Sequence, residues 1–149
     1  MVAIWLFTIG AVVAAGAILI AFKRLMRSLS AQFKLEEFDQ KSIQKDQTKY
    51  FLHVALIEVV PIILIILGFM FSDDEPSLVW VVTGLIFIVG IIIISLVQIN
   101  KEKLEILADL RDASSDIKKY LQSVVSVGYI TTLGIPLISL AVIVFLYLL

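Results

Sequence analysis

What most constrains this chain is where its charges are absent. Four stretches, Val2 to Phe22, Tyr50 to Phe71, Leu78 to Val97 and roughly Leu121 to Leu149, hold no charged side chain except one carboxylate, Glu58. Each is long enough to cross a hydrocarbon core, which takes about 20 helical residues. Lipid offers the backbone no hydrogen-bond partners, so a crossing segment must be a helix or part of a closed barrel. Barrel strands alternate apolar and polar side chains over about 10 positions, whereas Ile62-Ile63-Leu64-Ile65-Ile66-Leu67 is apolar on every side. With 60% hydrophobic residues in 149 and a mean hydropathy of +1.05, the chain has far more apolar surface than a water-soluble core needs. An all-α membrane protein with four transmembrane helices is expected.

The basic residues set its orientation. Seven (Lys23, Arg24, Arg27, Lys34, Lys41, Lys45 and Lys49) lie between the first two apolar stretches, and five (Lys101, Lys103, Arg111, Lys118 and Lys119) between the last two, which accounts for all 12. The connection Ser72-Asp73-Asp74-Glu75-Pro76-Ser77 has none, nor has either terminus. The positive-inside rule then predicts both long loops cytoplasmic, with the termini and the acidic turn outside a cell membrane. Trp5, Trp80 and Tyr147 fall near the outer interface, and Tyr50 and Tyr120 near the inner one. The first apolar stretch, with no basic residue before it, reads as a retained helix and not a signal peptide.

Neither long loop contains Gly or Pro, and both carry helical periodicity: Leu104, Leu107, Leu110, Ile117 and Leu121 recur at spacings of three, four or their sum. Each transmembrane helix is therefore expected to extend into the cytoplasm. Short turns are predicted near Phe38-Asp39-Gln40 and Ala113-Ser114-Ser115, giving two tandem helical hairpins with helices of about 35 residues, roughly 50 Å each.

The two halves, 1–72 and 73–149, resemble one another at a period of 75: Trp5 matches Trp80, Thr8 Thr83, Ile18 Ile93, Leu29 Leu104, Pro61 Pro136 and Ile63 Ile138. The paired Trp and Pro at one ungapped offset carry more weight than the aliphatic matches, and the second half reads as a degenerate repeat in the same orientation as the first.

Glu58 lies about eight residues from the cytoplasmic end of its apolar stretch and so near mid-bilayer at helical rise. An ionised side chain at a helix centre costs about 2.5 to 3.5 kcal/mol to insert. The neutral acid is thus the resting form, and a carboxyl that ionises on meeting water or a cation is the chemistry of an ion carrier. Pro61 lacks an N–H and leaves the carbonyl of Ile57 spare beside it, a supporting acceptor. On the first helix Ala3, Gly10, Ala14, Ala17 and Ala21 share a narrow face, which permits close helix packing and places Ala14 near the depth of Glu58. The counterpart of Glu58 in the second half is Leu133; Pro136 is kept, and Thr131 and Thr132 are expected to cap the carbonyl it frees. His53, about 140° around the helix from Glu58, reads as an interfacial residue.

Other chemistries have no residues to support them. The absence of Cys and the presence of a single His exclude thiolate and histidine-cluster metal sites, and neither a phosphate loop nor a nucleophile-base pair is present. No enzyme activity, cofactor or metal is expected. The basic residues are too interspersed with acids for a nucleic-acid surface.

The segment Val54-Ala55-Leu56-Ile57-Glu58-Val59-Val60-Pro61-Ile62-Ile63 resembles the second helix of the c subunit, or proteolipid, of rotary ATP synthases, whose pattern is V-A-L-V-E-A-x-P-I-I with the Glu as the ion carrier. The resemblance covers ten to twenty residues. It implies a helical hairpin, a ring-like homo-oligomer and a proton site at Glu58, since the first helix has no Gln and Val59 follows the Glu where sodium-binding members have Ser or Thr. In place of the family's alternating glycines and its Arg-Gln-Pro turn, the chain has the sparser small-residue stripe and Lys34-Leu35-Glu36-Glu37-Phe38-Asp39-Gln40. The expectation is a proteolipid-like oligomeric subunit taking part in proton translocation. The alternative is a non-catalytic scaffold or accessory subunit that binds a protein partner through its cytoplasmic helices.

Overall fold

The computed structural model describes residues 1–35, 39–72 and 75–149. Phe38 of the first expected turn, its neighbours Glu36 and Glu37, and Asp73 and Asp74 of the acidic connection lie outside the described residues. The described chain is all helical, with α1 (Val2–Lys34), α2 (Gln40–Met70), α3 (Leu78–Asp109) and α4 (Ser115–Tyr147). All four helices are long and apolar enough to cross a membrane.

Local chemistry explains where the helices begin. The Asp39 carboxylate accepts the backbone N–H of Lys41 at 3.1 Å, and Ser114 Oγ that of Ile117 at 3.4 Å, so each satisfies one of the N–H groups that a helix start leaves unpaired. Pro76 disfavours helical conformation at Glu75, and α3 starts two residues after that proline, with Ser77 at its N-cap in extended conformation.

Helix α1 is the centre of the bundle. Half of its most apolar window is buried, against 22–28% in the other helices, because α1 touches α2, α3 and α4. Helix α3 also packs on α4, α2 meets α4 only lightly, and α2 and α3 do not meet among the described residues. Helices α1 and α2 run in opposite directions: Phe7 meets Phe69 edge to face at 5.6 Å, Gly10 lies against the Pro61 backbone, and Ser28 Oγ donates to Asp46 Oδ2 at 2.6 Å.

Helices α1 and α3 instead run parallel and in register. Trp5 meets Trp80 with ring centroids 5.9 Å apart. Lys23 Nζ donates to Gln98 Oε1 at 2.9 Å and Lys34 Nζ to Asp109 Oδ2 at 2.9 Å, both across a separation of 75 residues.

Buried side chains form two layers, one around Phe22, Met26, Leu29, Ile99 and Leu121, the other around Ile4, Phe7, Ile88 and Ile143. Outward, large apolar residues are openly exposed, among them Leu56 at 64%, Ile86 at 66% and Ile130 at 73%. In water so extensive an apolar surface would drive aggregation. Against acyl chains it is the natural outer wall, since lipid is as apolar as leucine.

Candidate functional site

Glu58 occupies the seam between the packed and the outward face of α2. At 100° per residue the buried Tyr50, Val54, Pro61, Ile65 and Gly68 lie within about 80° of it on one side, and the exposed Phe51, Ala55 and Ile62 within about 60° on the other. The side chain is accordingly half-buried. Among the described residues no hydrogen bond or ion pair engages its carboxyl.

The neighbouring residues define what faces it. Pro61 is buried and leaves the Ile57 carbonyl without its usual N–H partner. A Cβ built at Gly10 would lie 3.5 Å from the Pro61 carbonyl oxygen and 3.6 Å from Leu64 Cβ, which is ordinary contact distance. The contacts of Gly10 with Pro61 and of Ser28 with Asp46 bracket Glu58 and put it level with about residues 13 to 16 of α1. Ala14 in that stretch is fully buried, while Ala17 and Ala21 are half-buried. Gly10 thus meets the Glu-x-x-Pro element, whereas Ala21 lies farther toward the basic end, beside a cavity.

In the other half Leu133 is half-buried like Glu58, and Pro136 is buried like Pro61. The two threonines do not cap the carbonyl freed by Pro136, which belongs to Thr132. The Thr131 hydroxyl bonds to the carbonyls of Val127 at 2.9 Å and Gly128 at 3.3 Å, one turn earlier, and the buried Thr132 Oγ1 has no hydrogen-bond partner among the described residues. The back-bonding geometry common to helical Ser and Thr takes precedence for Thr131.

That hydroxyl also makes a contact for which the sequence carries no signal. Tyr50 Oη and Thr131 Oγ1 are 2.7 Å apart and, with Gln47 donating to the Tyr120 hydroxyl, tie α2 to α4 where few other contacts do. A cavity of about 230 Å³ opens between α1 and α2 toward their basic ends, bordered by Arg24, Ser28, Asp46, Lys49, Tyr50 and His53. His53 is exposed there, with Nδ1 2.7 Å from the Lys49 carbonyl oxygen. The pairing of positions 24 and 28 with 46 and 49 becomes visible only once the α1–α2 register is known.

Chemically, Glu58 is a carboxyl with one flank on packed helix and the other on the exposed apolar face of α2, beside a spare carbonyl. Such a group can hold a proton while facing lipid and give it up where water or a cation reaches it. No protein-family model, curated protein or solved structure matches this chain.

Proposed function

We propose that this chain is an oligomeric, proteolipid-like subunit of a cell membrane, built as two tandem helical hairpins, 1–72 and 73–149, in which Glu58 near mid-bilayer binds and releases a proton. The observation that carries this reading is the seat of Glu58: the one carboxylate of the four apolar stretches lies on the edge of the exposed apolar face of α2, one turn from Pro61. A buried structural carboxyl would be expected to have a donor, and Glu58 has none among the described residues.

In this reading the basic ends of the hairpins extend into the cytoplasm, and both termini lie outside. Assembly has its own support. The first helix of the first hairpin touches the second helix of the second, but α2 and α3 do not touch among the described residues. The two hairpins therefore pack head to tail and not about a local two-fold axis. Such an interface leaves one unused face at each end, on α2 and on α3, and repeating it with further copies closes a ring when the rotation permits.

The test is the full chain in lipid nanodiscs, wild type and Glu58→Gln, followed by mass measurement and by infrared spectroscopy of the carboxylic acid band. Both proteins should form the same closed multimer, and only the wild type should show a titrating protonated carboxyl. A monomer overturns the assembly. An intact multimer without that band supports the scaffold reading, in which the charged helix ends bind a protein partner.

A further inference from the structure

Between α1 and α2 at the basic end, two cations, Arg24 and Lys49, border open space without an ion-pair partner among the described residues. The cavity of about 230 Å³ is bordered by Arg24, Lys49 and His53 and by one acid, Asp46. Asp46 does not pair with them: its Oδ2 accepts from Ser28 Oγ at 2.6 Å and Gln32 Nε2 at 2.7 Å, both neutral donors. Among the described residues no ion pair engages Arg24 or Lys49. Arg27, Lys41 and Lys45 likewise have no ion pair among the described residues but do not border the cavity, while three other cations are engaged. Lys23 bonds Gln98 and lies 3.8 Å from Glu102, Lys34 pairs with Asp109 at 2.9 Å, and Lys101 lies 3.9 Å from Glu105.

The height of the cavity indicates what it meets. Arg24 comes two residues after the first apolar stretch ends at Phe22, and Lys49 one residue before the second begins at Tyr50. Both therefore stand where acyl chains give way to headgroups. Arg presents a planar fork that matches phosphate oxygens, and Lys a compact point charge. Basic pockets between transmembrane helices at this height are suited to anionic headgroups. The volume far exceeds the 10–15 Å³ or so that a single water requires.

We propose that this cavity binds a phosphate group, held by Arg24 and Lys49, and that the phosphate is the headgroup of an anionic lipid in the leaflet at the basic end. The lipid would bridge α1 and α2 at a level where their own side chains leave a gap.

The test is native mass spectrometry of the full chain from micelles supplied with phosphatidylglycerol or with phosphatidylcholine. Wild-type protein should retain phosphatidylglycerol at least about tenfold better, and equal retention of the two lipids overturns the proposal without any variant. Arg24→Gln/Lys49→Gln should lose that preference by about tenfold or more, while Lys41→Gln/Lys45→Gln, which removes the same charge from α2 outside the cavity, should keep it. Equal loss in both double variants overturns the site in favour of diffuse attraction. Displacement of the lipid by millimolar inorganic phosphate from wild type would keep the phosphate site but overturn the lipid as its source.

Discussion

Trp5 and Trp80, 75 positions apart, meet edge to face at 5.9 Å with an interplanar angle of 64°. Together with Lys23–Gln98 and Lys34–Asp109, this contact means that equivalent points of α1 and α3 touch along most of their length. Two helices in parallel register bring like positions to like depth. Residues that meet this way must be compatible, as two indoles are, and each lysine meets an acceptor: Lys23 faces Gln98 and Lys34 faces Asp109. Aromatic pairs of this geometry contribute about 0.5–1.5 kcal/mol beyond burial. A double-mutant cycle with Trp5→Leu and Trp80→Leu, read by unfolding in mixed micelles, should return a coupling in that range; no coupling would contradict the register.

The two glycines beneath Phe7 and Phe22 should be far less replaceable than those in open space. A Cβ at Gly68 would lie 2.5 Å from the Phe7 ring, and one at Gly128 would collide with Phe22, whereas nothing lies within 4 Å of a Cβ at Gly90. Gly68→Ala and Gly128→Ala should each cost about 1–3 kcal/mol through overpacking. Gly90→Ala should be neutral or stabilising by up to about 1 kcal/mol. Thermal unfolding of the three variants orders them, and Phe22→Leu should recover part of the Gly128→Ala loss.

The tie between α2 and α4 rests on hydroxyls. Tyr50→Phe removes one partner of the 2.7 Å contact with Thr131, but Thr131 keeps its bond to Val127, so no buried group is orphaned. The loss should be modest, about 0.5–1.5 kcal/mol, measured by the same unfolding assay. A cost of several kcal/mol would mean that Tyr50 does more than bridge the two helices.

Replacing Glu58 by its counterpart in the other half separates a structural from a working carboxyl. Leu133 holds the equivalent half-buried position beside Pro136, so Glu58→Leu should fit. Removing a side chain that is costly in lipid, by about 2.5–3.5 kcal/mol when charged, should leave stability unchanged or raised. A drop of more than about 2 kcal/mol on unfolding would instead mark Glu58 as a structural hydrogen-bonding group.

Much of the helical layout was legible before any coordinates. The predicted turn at Ala113-Ser114-Ser115 contains the Ser114 cap of α4, and Asp39 of the other predicted turn caps α2, because helical periodicity and charge-free runs are local signals. Glu58 stood out for the same reason. Helix faces were not legible. When the solvent is lipid, Leu56 pointing outward and Leu121 packed inside look alike, since apolar residues suit both sides of such a helix. The central place of α1, the Tyr50–Thr131 contact and the cavity beside Arg24 and Lys49 all depend on faces and register. Thr131 does not cap the freed carbonyl as expected, because the usual back-bond of a helical hydroxyl one turn earlier is available to it whether or not a proline lies ahead.

The most direct measurement of the central claim is covalent labelling of the membrane-embedded chain with a hydrophobic carbodiimide, which reacts with neutral carboxyls in lipid, followed by peptide mass spectrometry across a pH series. Glu58 should be modified, with labelling falling as pH rises and its proton is lost, while the acids on the polar helix ends, such as Glu102 and Asp109, stay unmodified. A Glu58 that stays unlabelled at every pH would contradict the proton site.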